Sequence, residues 1–325
     1  MGPVTLNSDF QLYISVNHAV TIDEAKDFFS EMEKVLTSIK KPVSSGRNRY
    51  QPGNIVGGKY EILDHLEQGL CYDVFISMDI QTKQKWIARA IYKDGEPGCA
   101  SWVQAVTLNK KLDHPLLARI VDVLDEEDHI LVVMKYVEGT PLSTAIQERA
   151  PIPEEQIRDW GIQIADLLNY LHRQDPAFSQ ILIWPSQFLL TPSGDIKMRY
   201  FTGIQEENAL LIKSRPSVFI APEESSQGKA DPRTDIYAFG YLLYSILTGR
   251  DFSKPPYAVL PLRSARPDLS GAMEHIVRKC IEPNPRDRYQ SAGELLKDLK
   301  NMDKRKPSSP SFFQRLLHSF ERKQP

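Results

Sequence analysis

The hydrophobic period of this chain is mostly strand-like in its first part and helix-like in its larger second part, and that order restricts the fold more than any other feature. From Lys59 to about Tyr92 short apolar runs alternate with turn signals, the pattern of a small antiparallel sheet. A helix is expected over roughly Ser101 to Leu112, then strands near Ile120–Val123 and Ile130–Tyr136. Helical spacing dominates afterwards. Ile157, Trp160, Ile164, Leu167, Leu168 and Leu171 form one apolar stripe, and Tyr237, Leu242, Leu243, Ile246 and Leu247 another. A β-rich segment followed by a larger α-rich one predicts an α+β layout with a small β-rich lobe and a larger α-helical lobe.

A chain of 325 residues suits one two-lobed domain with appendages. The net charge of −2 creates no overall field for nucleic acid, so none is expected as a partner. Cys71, Cys99 and Cys280 stand far apart and match neither a metal-ligand spacing nor a disulfide framework. No apolar run approaches the ~20 residues of a membrane span, and the N-terminus lacks a charged-then-apolar leader pattern. A cytoplasmic location is expected, with peripheral membrane contact through the C-terminus as an option.

The appendages have their own logic. Residues 1–40 read as a small strand–helix module: Phe10 to Val16 alternates, and Thr21-Ile-Asp-Glu24 is a capping box ahead of a stripe from Ala25 to Ile39. Residues 41–58 read as linker, 59–302 as the main domain and 303–311 as a second linker. Residues 312–323 read as an amphipathic helix with Phe312, Phe313, Leu316, Leu317 and Phe320 on one face. That face is suited to a partner protein, to a membrane surface or to the chain's own main domain.

Six local motifs stand in sequence: Leu112-Asp-His-Pro115, Val133-Met-Lys-Tyr-Val-Glu-Gly139, Tyr170-Leu-His172, Ala221-Pro-Glu223, Asp231 to Gly240, and Cys280-Ile-Glu-Pro-Asn-Pro-Arg-Asp-Arg-Tyr289. In their order they resemble the bacterial-type serine/threonine protein kinases, over about three quarters of the chain. The resemblance implies the two-lobed kinase-like fold. It further implies that Glu223 pairs with Arg288 and that Asp235 holds the backbone of the catalytic loop, both structural roles.

The residues that carry chemistry in the family are altered. In Leu66-Glu-Gln-Gly-Leu-Cys-Tyr-Asp-Val74, Gly69 alone remains of the family's glycines, while Glu67 brings negative charge and Tyr72 bulk. The family's Val-Ala-x-Lys strand reads Trp86-Ile-Ala-Arg89, so a guanidinium replaces the lysine and Ile87 crowds the adenine position. The helix glutamate becomes Ala105, or Gln104 if the register slips by one. Anchoring the catalytic loop on Pro185 puts Leu182 at the base aspartate, Trp184 at the lysine and Gln187 at the metal-binding asparagine. Tyr200-Phe-Thr202 stands where the family has Asp-Phe-Gly. No acid lies between Asp175 and Asp195 to replace the base. Glu206 and Glu207 read as a solvated loop. Pro216 stands at the family's threonine, and Ser214 and Ser217 are candidate phosphoacceptors.

A proton-transfer residue contributes about 10²–10⁴ in rate, and here base, ion pair and metal positions change together. The expectation is therefore a pseudokinase rather than an enzyme: a signalling scaffold or allosteric regulator that binds a protein partner, an active kinase or another signalling protein. The alternatives are an atypical or residually active serine/threonine kinase and a structural subunit of a complex. The degenerate catalytic positions are Arg89, Ala105, Leu182, Gln187 and Tyr200. The vestigial nucleotide pocket comprises Gly69, Val74, Ile87, Arg89, Met134 and Leu189. No metal and no cofactor are expected, with metal-independent ATP binding left open.

Overall fold

The computed structural model describes residues 4–6, 12–14, 50–68, 72–93, 106, 109–149, 151–175, 177–179, 181, 183–199, 216–227, 231–252 and 260–302. They fall in two compact units. One comprises residues 1–140 and 187–217, the other residues 141–186 and 218–325.

At the start of the first unit the backbones of β1 (Val4–Leu6) and β2 (Leu12–Ile14) pair antiparallel, with Val4 opposite Ile14. β2 lies inside the strand expected at Phe10–Val16. The helix expected after Thr21 and the C-terminal stripe from Phe312 to Phe320 lie outside the described residues.

The body of this unit is a six-stranded antiparallel sheet. Its strands are β3 (Ile55–Val56), β4 (Tyr60–Gln68), β5 (Tyr72–Asp79), β6 (Lys85–Tyr92), β7 (Ile120–Asp125) and β8 (His129–Lys135), in the order β3-β4-β5-β6-β8-β7. Both faces are apolar. Tyr60, Ile62, Phe75, Ala88, Ala90, Leu131 and Val133 bury one face, and Val74, Ile87, Ile91, Val132 and Met134 the other. Two-sided burial explains why these strands read as apolar runs.

The expected linker 41–58 requires a correction at its end. β3 pairs with β4, and Tyr50 sits edge-on to Phe75 with ring centroids 5.8 Å apart. Its hydroxyl is 2.7 Å from His129 Nε2. Residues 50–56 are thus part of the sheet unit, held by an aromatic anchor that linker-like composition concealed. Of the helix expected over Ser101–Leu112, Val106 and Asn109 are helical, Lys110 and Lys111 form a turn and Leu112 is irregular, so the helix ends before the expected boundary; the other positions lie outside the described residues.

β4 carries two irregularities, between Ile62 and Asp64 and between His65 and Glu67. A bulge moves the following side chain to the other face of a strand. His65 lies opposite Phe75, whereas Glu67 lies opposite Val74, on the second face. Behind β10 (Phe188–Leu190) and β11 (Ile196–Met198), an antiparallel hairpin that continues to β9 (Thr140–Pro141), sits Gly139. A Cβ there would lie 2.8 Å from the Leu190 carbonyl oxygen, so the close approach requires glycine.

The second unit is helical: α1 (Leu142–Arg149), α2 (Glu154–His172), α3 (Pro222–Gln227), α4 (Pro232–Thr248), α5 (Leu262–Ala265), α6 (Gly271–Cys280) and α7 (Ala292–Lys300). The stripe read in α2 is buried as expected. α4 begins with Asp231 accepting from the Arg233 amide and Pro232 in the first turn, and it ends at Gly249 with φ +70°. It is buried almost all round. At Gly240 a Cβ would fall 2.6 Å from Cys280 Cβ, so α4 approaches the end of α6 too closely for any side chain.

Arg288 ties these helices together. Its guanidinium is buried and meets Glu223 in two bonds, 2.6 Å from Nη1 to Oε1 and 2.9 Å from Nη2 to Oε2. Nε donates to the Glu282 carbonyl, Nη1 also to Arg233 and Nη2 also to Pro283. All the donors of the guanidinium fork are used. Removing one partner of a buried ion pair costs about 3–5 kcal/mol because the other charge is stranded. Glu223→Ala is therefore expected to lower the urea midpoint of the chain sharply, and Glu223→Gln, which keeps one acceptor, to lower it less. Parent-like unfolding of Glu223→Ala would show that the pair does not hold the helical unit.

Candidate functional site

In the sheet unit the expected pocket residues Val74, Ile87 and Met134 belong to one buried cluster, and Ile87 pairs directly with Met134 across β6 and β8. Arg89 lies on the same face, between Val74 and Val132. Leu189, half-buried on β10, abuts the Gly139 backbone. Ile87 is 5 % exposed, so its branched side chain is buried in this face.

At the polar end of that face four side chains form a chain of contacts. The Arg89 guanidinium stacks over the Tyr72 ring, 4.2 Å from its centroid. Tyr72 donates its hydroxyl proton to Glu67 Oε1 at 2.8 Å. Glu67 Oε2 meets Arg199 Nη2 at 3.1 Å. Arg199 follows β11, and its amide donates to the Gln187 carbonyl at 2.8 Å. The acidic residue read at the glycine-rich position is thus neutralised within its own unit. The sequence reading missed Arg199, whose signal was a cation immediately before Tyr200. On the opposite face the buried Asp73 takes bonds from His65 Nε2 at 3.0 Å and the Tyr92 hydroxyl at 2.5 Å, anchoring the start of β5.

In the helical unit Asp235 performs the role the resemblance assigned to it. Its Oδ1 accepts from the Ile181 amide at 2.7 Å, and its Oδ2 lies 2.9 Å from His172 Nε2. Burial pushes its carboxyl above the usual carboxylate range, opposed by the His172 imidazole and the Ile181 N–H. Ile181 and Ile183 are buried, and Trp184 donates its indole N–H to Ser186 at 2.6 Å. The loop backbone is therefore held although its side chains have changed. Gly69, Ala105, Leu182 and Tyr200 lie outside the described residues.

Magnesium takes hard oxygen ligands, with carboxylates supplying charge. Gln187 offers a neutral amide and Tyr200 a phenol where the family binds metal. Among the described residues no group of three or more His, Cys, Asp or Glu side chains is placed to hold an ion. These donors do not fit the family's metal pair, and no step is derived through it.

Asp235→Ala leaves both the Ile181 N–H and the His172 imidazole without their acceptor, at about 1–3 kcal/mol for each buried group. It is expected to lower the melting temperature and speed amide exchange at Ile181. Asp235→Asn, which retains an acceptor for Ile181, should protect that amide better. Equal exchange in parent and Asp235→Ala would dissociate Asp235 from the loop.

The protein kinase domain model matches residues 60–309. A probable serine/threonine-protein kinase of Clostridium acetobutylicum is 25 % identical over 288 residues, covering 82 % of this chain and 43 % of the relative. The serine/threonine-protein kinase PrkC of Bacillus subtilis is 26 % identical over 267 residues, covering 76 % and 41 %. The chain spans about two fifths of the length of these relatives. The PknI kinase domain of Mycobacterium tuberculosis superposes with a TM-score of 0.63 at 18 % identity, over 78 % of this chain and 99 % of that one. That likeness shows the α+β kinase fold expected from the sequence. The expectation that the chain is not an enzyme is corrected by these findings, since the matching relatives bear the names of serine/threonine kinases. Loss of residue types at Leu182, Gln187 and Tyr200 had been read as loss of function, whereas it specifies only which groups are altered. The chain belongs to the protein kinase domain family.

Proposed function

We propose that this chain is an atypical serine/threonine protein kinase, transferring the terminal phosphoryl group of ATP slowly to protein hydroxyls. The observation that carries this reading is the bond from the Ile181 amide to Asp235, which holds the catalytic-loop backbone. Phosphoryl transfer passes through a loose transition state and asks chiefly for alignment and charge neutralisation. Arg89 supplies a cation on the nucleotide face of the sheet unit. Leu182 supplies no base, and that loss costs about 10²–10⁴ in rate. A scaffold role in signalling, exerted by binding a protein partner, is compatible with slow transfer. The closed contact chain from Arg89 to Arg199 favours it as an accompanying role.

The test uses the full chain with γ-labelled ATP, Mg²⁺ or Mn²⁺ and a general serine/threonine acceptor protein. Expected is slow label incorporation at serine or threonine that falls at least about tenfold in Arg89→Ala, a loss equal to about 1.4 kcal/mol of transition-state stabilisation. No incorporation above a heat-denatured control over several hours, with both metals, would overturn the proposal.

A further inference from the structure

The bridge between Glu67 and Arg199 joins two positions that ordinarily lie on opposite sides of a bound nucleotide. By the resemblance, Glu67 occupies the first-glycine position of the loop that covers the phosphates. Arg199 immediately precedes the Asp-Phe-Gly position that carries the metal. In this chain their side chains meet at 3.1 Å. The bulge between His65 and Glu67 turns the carboxylate onto this face, and the Tyr72 hydroxyl holds its other oxygen. Arg89 lies over the ring of the same tyrosine. The Glu67 carboxylate is thus held by Arg199 and the Tyr72 hydroxyl, and Arg89 joins this group of side chains through the Tyr72 ring.

We propose that Arg199, with Arg89, is an anion site for the phosphates of a nucleoside triphosphate, and that Glu67 occupies it as an internal surrogate for phosphate. The inference rests on the kinase reading only in taking the ligand to be a nucleotide. Three physical points support it. Guanidinium groups bind phosphate oxygens in paired bonds and carry fixed positive charge. The donors at Gln187 and Tyr200 are unsuited to magnesium, so charge neutralisation falls to other groups. The Glu67 and Arg199 side chains remain 32 % and 20 % exposed, and ion pairs open to water are weak enough to exchange. A triphosphate brings several anionic oxygens, whereas Glu67 brings one carboxylate. Nucleotide then enters by displacing Glu67 from Arg199, and the binding needs no divalent metal.

The experiment measures binding of ATP, and of inorganic tripolyphosphate, to the full chain by calorimetry with chelator present. The variants are Glu67→Gln, Arg199→Gln, Arg199→Lys and the Glu67→Gln/Arg199→Gln double. Expected is a gain of about tenfold or more in metal-free affinity for Glu67→Gln, near-complete loss for Arg199→Gln, and partial retention for Arg199→Lys. The double variant should show none of the Glu67→Gln gain, because both substitutions act on one contact. Tripolyphosphate should follow the same order, since the phosphates and not the base are read. Melting temperatures without ligand identify any variant that fails to fold, and Arg199→Lys then stands in for Arg199→Gln. Unchanged metal-free affinity in Glu67→Gln, or parent-like affinity in Arg199→Gln, overturns the proposal. Phosphate transfer measured on the same samples separates the two readings. Tight metal-free binding without transfer retains the arginine site and removes the kinase function. Strictly metal-dependent transfer that is indifferent to Arg199→Gln does the reverse.

Discussion

The helical unit depends on one buried guanidinium. Arg288 has no exposed side-chain surface, and each of its donors is committed to Glu223 or to the carbonyls of Arg233, Glu282 and Pro283. Tyr237 faces it at 4.7 Å, so the charge is also met by an aromatic ring. A charge taken this far from water destabilises any arrangement that leaves it partly bonded. The geometry is therefore close to all-or-none. The start of α4, the start of α3 and the turn before α7 must all be in place together. Asp235, one turn into α4, inherits its position from that arrangement and passes it to Ile181.

The sheet unit has a different organising constraint. Both of its faces are buried, so its strands are placed by packing on two sides and not by an apolar–polar alternation. The bulges in β4 are tolerated because they fall where the strand leaves the core: His65, Glu67 and their neighbours are only partly covered. That local break in alternation turns Glu67 toward Arg199. The electrostatics of the candidate site thus follow from a backbone irregularity as much as from residue type.

Sequence alone revealed what repeats and missed what does not. The α2 and α4 stripes, the β4 to β8 runs and the Glu223–Arg288 pair were legible because periodicity or a dense local motif encodes each. Asp235 was legible by resemblance, and the bond to Ile181 bears it out. Tyr50 was hidden in a Lys/Arg/Ser/Pro-rich stretch, since a single aromatic contact leaves no periodic trace. Arg199 was hidden because its partner lies far away in sequence, and no spacing rule links the end of β11 to a bulged residue of β4. The expectation of a non-enzyme, corrected by the kinase domain match and the names of the relatives, had judged each catalytic position by the residue standing there alone.

The persistence of the frame beside an altered site has a physical basis. Arg288, Glu223 and Asp235 act on the ground state of the folded chain, so each change there is felt in stability at once. Groups such as a catalytic base or a metal ligand act mainly in the transition state and contribute little to folding. Such positions therefore change without loss of the fold, as Leu182 and Gln187 have done relative to the family pattern. Arginine at 89 and 199 belongs to the same logic. In the resting chain the anion beside Arg199 is Glu67, in a partly exposed pair. If phosphate binds there as proposed, it displaces that carboxylate, so whatever the pair adds to the resting chain and the affinity for phosphate are opposed at a single group.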